Sequence, residues 1–452
     1  MNQSATASSS RQLLWPATLC LLPIVAFYAM LWHAARPVPM FDDYHSILFF
    51  LLRMRELPGT GAKLLYVFAA QHDEYKLIVE HAVVAADWAV TGRVHFGMLT
   101  LLGNVLVLGF GWLLWKNTWT AETTSAQRLL LFAPVCYLLF QLNYVENLDW
   151  AMCCLQTMPV LFFTMASLQF LFRQTPAASW RMCVAAGLCA WMASLSSANG
   201  FLLAPIGFVV YVWRREWSKA LGWTATMVFA LALYLYRYER TFAPATETHT
   251  GPGDKLRFFL SFVGAAAENM HHFPVRNGSV VLGIILVASL AYACFTSYPQ
   301  AEPTLFCLAV WCLLSAAIVT ERRIIYGTNL SLTERYKIYS DLLLIVCYRF
   351  WLSRVRWRQT ALPRLRTAYA AVLVGVILFC GVSDVFGYRY LERRQRRVAQ
   401  GLNAFASDPE RTAPEISITG EPFAGPEPEF TREVLNESIK ADIFTLPPVS
   451  AR

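Results

Sequence analysis

Pro39-Met-Phe-Asp-Asp-Tyr-His45 follows directly on an apolar run, residues 14–35, that is as long as a bilayer core is thick. Two adjacent carboxylates, Asp42 and Asp43, therefore stand at the end of a membrane span, between Phe41 and Tyr44-His45. With Arg11 ahead of it the run imitates a secretion signal. It is longer than an h-region of about 7–15 residues, so an uncleaved first span is expected. Outward from there lie ten more apolar runs, at 95–115, 128–146, 150–172, 181–198, 200–213, 219–236, 279–297, 303–320, 338–353 and 367–387. Together the eleven predict an all-α, polytopic membrane protein. Ser196-Ser-Ala-Asn-Gly200 is either a tight turn or a break in one longer helix. A membrane tolerates such a break where it lines a cavity or is buried in protein.

Composition agrees. Of 452 residues, 56% are hydrophobic and 15% charged, where a soluble domain carries about a quarter charged. The net charge of +8 does not point to nucleic acid, because much of it is arginine in loops between apolar runs, where it orients a membrane protein. The eleven cysteines fall in or beside apolar runs with no CxxC or zinc spacing, and read as small core residues.

The short basic loops (Lys116 and Arg128; Arg173 and Arg181; Arg214, Arg215 and Lys219; Arg354 to Arg366) alternate onto one face with Arg11, which is taken as cytoplasmic. The opposite face receives 36–94, 143–150, 196–200, 237–278, 321–337 and 388–452, which are longer, aromatic and mixed in charge. Chemistry is expected on that outer face, which also takes the C-terminus. In this division 1–387 is the membrane domain and 388–452 an outer tail. Within loop 36–94, residues 43–56, 63–70 and 77–91 read as interfacial helices, interrupted at Pro58-Gly-Thr-Gly61. The tail starts as a basic helical run, Arg389 to Arg397, turns Pro-rich and acidic, and ends weakly apolar at Ile443-Phe-Thr-Leu446. It is expected as a partly ordered flap over the outer face.

Among candidate residues the Asp42-Asp43 pair comes first. Like charge and partial desolvation raise a carboxylate's pKa and suit it to take a proton from an attacking hydroxyl. A helix N-cap before Tyr44–Arg55 explains the same residues equally well, and the two roles are compatible, one aspartate for each. Gln71-His-Asp-Glu-Tyr-Lys76, followed by Glu80 and His81, interrupts an apolar stretch, and helical spacing would gather Asp73, Lys76 and Glu80 on one side. His72, Asp73, Glu74 and Lys76, with Tyr44, are candidate substrate contacts. A divalent metal is conceivable at this histidine-rich loop, but no metal-ligand spacing supports one and no cofactor is expected. Glu146 and Asp149 read as caps of the next helix, and Asn199 as part of a turn or a sugar-binding shelf. On the outer basic loops His272, Arg335, Tyr336 and Lys337 are candidate contacts to a lipid phosphate, with snorkelling to headgroups as the simpler explanation. Few charges fall near the centre of any run, unlike an ion-coupled transporter.

The acidic pair after the first span resembles the first outer-loop motif of the C-type (GT-C) membrane glycosyltransferase superfamily. Gln71-His-Asp-Glu-Tyr-Lys76 is similar to the Gln-His-Asn-Glu-His-Arg signature of a poorly characterised bacterial branch. That branch's later pattern is similar to Arg323, Gly327, Glu334-Arg335-Tyr336 and Ser340. Asp73, Tyr75 and Glu334 depart from the branch's Asn, His and Ser, and Asp43 from the frequent Glu. The resemblance implies a GT-C-like fold in a bacterial inner membrane and a polyprenyl-phosphate sugar as donor. It further implies a glycan, lipid or protein acceptor and transfer at the outer face without a metal. Asp42 would be the general base and Asp43 its partner, with Arg335 and Lys337 steadying the departing phosphate. The rival expectations are a polysaccharide ligase or polymerase using a lipid-linked donor, and a non-enzymatic flippase of lipid-linked glycans.

Overall fold

The computed structural model describes residues 3–34, 37–117, 124–173, 179–240, 251–270, 277–354, 363–407 and 428–446. Every regular element among them is a helix, and no strand is present. Six helical stretches among these residues have the length and apolarity that a bilayer demands: Leu13–Ala34, Phe96–Lys116, Ser125–Tyr144, Ala151–Phe172, Pro303–Tyr326 and Thr367–Ser407. Ala198–Trp213 and Gly278–Cys294 are apolar but shorter. The three remaining expected runs are also helical, as Ser179–Ser196, Trp217–Tyr234 and Glu334–Arg354, without joining the six. On Glu334–Arg354 the reason is charge, since Glu334, Arg335, Lys337, Asp341 and Arg349 share that helix. Long apolar side chains remain exposed on these helices, such as Leu21, Leu22 and Val25, or Leu101, Val105 and Leu108. Such stripes are the surface a membrane protein offers to lipid.

The chain divides into two compact units. One comprises Met1–His33, Gly111–Val145 and Ala245–Arg389. Its helices Pro252–Val263 and Gly278–Cys294 approach so closely that a Cβ on Gly283 would lie 2.0 Å from the Leu260 carbonyl oxygen. Small residues permit that backbone approach where lipid supplies no hydrophobic drive. In the same unit the Tyr348 hydroxyl donates to the Leu131 carbonyl at 2.9 Å, and Phe27 meets Phe140 edge-on.

The other unit comprises Ala34–Phe110, Glu146–Pro244 and Tyr390–Arg452. Its centre is the helix Ala151–Phe172, whose Ser167 hydroxyl donates 2.8 Å to the Ala186 carbonyl of Ser179–Ser196. That second helix stops at Ser196, and a short 3-10 turn, Ala198–Leu202, leads into Leu203–Trp213. The 196–200 segment is thus a true break between helices, made possible by Gly200, where a Cβ would fall 2.2 Å from the Ala193 backbone. Loop 36–94 folds as a π-helical turn Tyr44–Phe49, then Phe50–Glu56, Gly59–Ala69 and Ile78–Thr91. Helical stacking fails over 71–77, so Asp73, Lys76 and Glu80 do not share a helix face: the helix starts only at Ile78.

The described part of the tail is packed. Val398, Leu402, Leu435, Ile443 and Phe444 join one buried core with Met40, Ile47, Leu51, Leu77 and Val84. The helix Pro428–Lys440 lays Phe430 on Phe49, with ring centres 5.4 Å apart, and the Val94 amide donates to the Ile443 carbonyl at 2.9 Å.

Candidate functional site

Asp43 is the best-anchored residue of the acidic loop. It is wholly buried, and its two carboxylate oxygens accept different backbone amides, Met40 at 3.0 Å and Met152 at 2.8 Å. Met152 lies in the first turn of Ala151–Phe172, where amides lack partners within the helix. Asp43 therefore caps a helix over a hundred residues away, not the one that follows it. Burial pushes its pKa up to about 8, against those two hydrogen bonds and with help from the neighbouring charge of Asp42. Partial desolvation was expected of the pair, and for Asp43 it is complete. Tyr44, expected as a substrate contact, is also wholly buried and offers no surface.

Asp42 keeps 28% of its side chain exposed. Its backbone carbonyl accepts the Ser46 and His45 amides and so starts the π-helical turn. π-turns recur at functional sites because they redirect side chains. Just before it Phe41 adopts φ 45°, a left-handed conformation that costs a non-glycine residue roughly 1–3 kcal/mol. Its ring is held between Trp150, 4.8 Å away, and the Arg394 guanidinium, 5.5 Å away. Arg394 is itself buried against Asp149, with Glu146 at 3.8 Å, and Gln395 donates 3.1 Å to the second Asp149 oxygen. Asp149 is thus no helix cap but the anchor for an arginine and a glutamine of the tail. Burial raises its pKa, and Arg394 and Gln395 oppose that.

Asp42 faces His72, with Oδ2 3.7 Å from Nε2, an ion-pair contact longer than a hydrogen bond. The other nitrogen of His72, Nδ1, lies 2.7 Å from Nδ1 of His45. Burial works against the charged form of His72, yet Asp42, followed by Asp73 and Glu74, outweighs it and raises the pKa. His45 moves the opposite way, to about 4, through burial and then the charge of His72, with Asp73 and Asp42 opposing. Phe49 stacks on the His45 ring at 5.3 Å, and Phe430 lies 5.7 Å from it.

His72 is presented by a two-residue hairpin turn: its amide and carbonyl pair with those of Tyr75 at 2.9 and 2.8 Å, and Asp73 takes φ 45°. Aspartate tolerates that conformation better than most residues. Asp73 and Glu74 are exposed at the turn's tip. Lys76 is committed to structure. Its ammonium donates to the carbonyls of Phe68 and Ala69, at the end of the helix Gly59–Ala69, and to Tyr236, at 3.0, 2.7 and 2.7 Å. Three donors meet three acceptors, so none remains for substrate. Burial lowers its pKa to about 8, against the charge of Glu239. Beneath the acidic pair Glu80 is wholly buried, and neither carboxylate oxygen has a partner in hydrogen-bond geometry. Burial, with Asp43 adding to it, raises its pKa well above the ordinary value.

The remaining candidates are dispersed. Asn199 is half-buried within the 3-10 turn Ala198–Leu202 of the same unit. Arg335, Tyr336 and Lys337 belong to the other unit, at the start of Glu334–Arg354. There the Arg335 guanidinium lies over the Tyr336 ring at 5.4 Å, and buried Lys337 pairs with Glu334 at 3.5 Å. His272 lies outside the described residues. No cluster of three or more His, Cys, Asp or Glu fit to hold a metal occurs among those described. His45 and the Asp149–Arg394–Gln395 group were not singled out by sequence. The one available signal was that two segments each set a histidine within three residues of an aspartate, Asp42 to His45 and His72-Asp73.

No family model, no curated protein and no solved structure matches the chain.

Proposed function

We propose that the chain is a C-type (GT-C) membrane glycosyltransferase that moves a sugar from a polyprenyl-phosphate donor to an envelope glycan, lipid or protein. In this reading all eleven apolar helices cross a bacterial inner membrane, the shorter ones included. The N-terminus is cytoplasmic and the reaction occurs at the outer face. The observation that carries the proposal is Asp42, a partly exposed carboxylate at the end of a span, backed by buried His72 and secured by a wholly buried Asp43. The acceptor hydroxyl gives its proton to Asp42 as its oxygen attacks the anomeric carbon. The bond from that carbon to the phosphate oxygen breaks, and polyprenyl phosphate leaves with the electron pair, inverting the sugar. Arg335 and Lys337, to which the resemblance gives the departing phosphate, belong to the other unit and carry no part of this proposal.

The test uses cells lacking the protein, complemented with wild type or Asp42→Asn at matched membrane levels, with masses of envelope glycans and polyprenyl-linked sugars as readout. Wild type restores a unit of sugar mass. Asp42→Asn loses roughly 10²–10⁴-fold of that transfer. Full restoration by Asp42→Asn would remove the base and with it this reading.

A further inference from the structure

We infer that His72 and His45 form a proton-sharing imidazole pair behind Asp42, in which the proton shared with His45 keeps His72 in the form that faces the carboxylate with Nε2–H and orients it. The inference rests on the reading of Asp42 as base, and it assigns two positioning residues, one of which no sequence motif had marked.

Geometry carries the argument. Two imidazole Nδ1 atoms 2.7 Å apart cannot both bear a hydrogen nor both present a lone pair, so a single proton lies between them. That contact occupies the δ side of His72 and leaves Nε2 pointing at Asp42 Oδ2, 3.7 Å away. Gaps of this length at acid–base pairs commonly close when substrate binds. Carboxylate, imidazole and imidazole thus stand in line, and each ring is fixed by something other than its proton partner. His72 is held by the hairpin turn whose backbone pairs with Tyr75, and His45 by the faces of Phe49 and Phe430. Opposite displacements of the two pKa values match the arrangement, His72 being the ring that holds charge and His45 the ring that stays neutral.

The charge balances without any further reactant. The pair carries three ring protons, one on each Nε2 and one shared between the two Nδ1 atoms, and so one positive charge opposite ionised Asp42. After transfer Asp42 holds the acceptor's proton and gives it to water at its exposed edge, so one proton enters and one leaves per sugar and both rings end as they began. The third acid close by, Asp73 Oδ2 at 3.9 Å from His72 Nε2, is exposed and supplies charge without closing the chain.

Two measurements on the full-length chain separate this inference from the transferase reading. In nanodiscs, with histidine ring nitrogens labelled, the expected signal is one strongly downfield proton coupled to the δ nitrogens of two histidines, absent from His45→Phe and from His72→Phe. Two δ nitrogens with separate, uncoupled tautomer signals would overturn the pair, whatever the activity. In complemented cells, His72→Gln and His45→Ala should each lower restored sugar transfer by roughly 10²-fold at unchanged protein level. The His45→Ala loss should be repaired by imidazole in the medium and not by thiazole, which has a similar shape but is a far weaker base. Repair by both rescuers, or wild-type transfer in both variants while Asp42→Asn fails, would make the histidines mere packing and overturn the pair's role alone. Wild-type transfer by Asp42→Asn would instead overturn the base, and the pair's role in transfer with it.

Discussion

At the residue scale the two aspartates, neighbours in sequence, have different work. Asp43 satisfies the amides of Met40 and Met152, so Asp43→Ala leaves two buried donors unpaired at about 1–3 kcal/mol each. A lower thermal midpoint of the detergent-purified protein is the expected outcome. Asp42→Asn, at a partly exposed side chain, should leave stability within about 0.5 kcal/mol of wild type while causing the loss of transfer proposed above. Equal effects of the two substitutions on stability would show that the division is mistaken. Glu80 supplies a pH signature. Its raised pKa means the folded state keeps a proton that the unfolded state releases, so this residue's contribution to stability falls as pH climbs past the ordinary glutamate range. Glu80→Gln is neutral at every pH and removes that loss. The variant should unfold like wild type near pH 4 and at a distinctly higher temperature near pH 8, measured as midpoints across a buffer series. Parallel curves for the two proteins would contradict it.

At the element scale, the helix Pro363–Ser407 has 45 residues, about 65–70 Å at 1.5 Å per residue, roughly twice the thickness of a bilayer core. Its apolar stretch, expected at 367–387, was legible because hydropathy reports burial in lipid. Its continuation through Arg389 to Arg397 was read only as a basic run. Nothing local to Arg394 reveals that its partner is Asp149, since the pairing is fixed by how the chain returns on itself. Arg394→Met should cost about 3–5 kcal/mol, because Asp149 is left buried with its charge uncompensated. Adding Asp149→Leu should recover much of the loss, in proteolysis or thermal unfolding of the purified chain. The same contrast runs through the site. The helices of 44–56, 59–69 and 78–91 were visible in apolar periodicity, and Asp42 in its position after a span. His45 was not, because its meeting with His72 depends on a hairpin turn bringing together residues 27 apart. Lys76 was read as a candidate substrate contact and not as the partner of three carbonyls, one of them contributed by Tyr236.

At the scale of the whole molecule, the number of crossings decides where the termini lie. Eleven crossings put the two ends on opposite sides, whereas the six long apolar helices alone would put them on the same side. Alkaline phosphatase fused after Ser407 should be active if the fusion point is outside, and inactive when fused after Arg173 on an inner loop. Inactivity at both points would reduce the proposed topology to an even number of crossings. The anchoring of the acidic loop has a temporal consequence as well. Asp43 waits for Met152, 109 residues later, and Asp149 for Gln395, a further 246 residues along. At roughly 5–20 residues per second of synthesis, the last of these partners is made some tens of seconds after the first loop. A nascent or prematurely terminated chain thus carries its aspartates without the contacts that arrange them. The acidic loop is therefore completed late, only once Gln395 has been made and can reach Asp149.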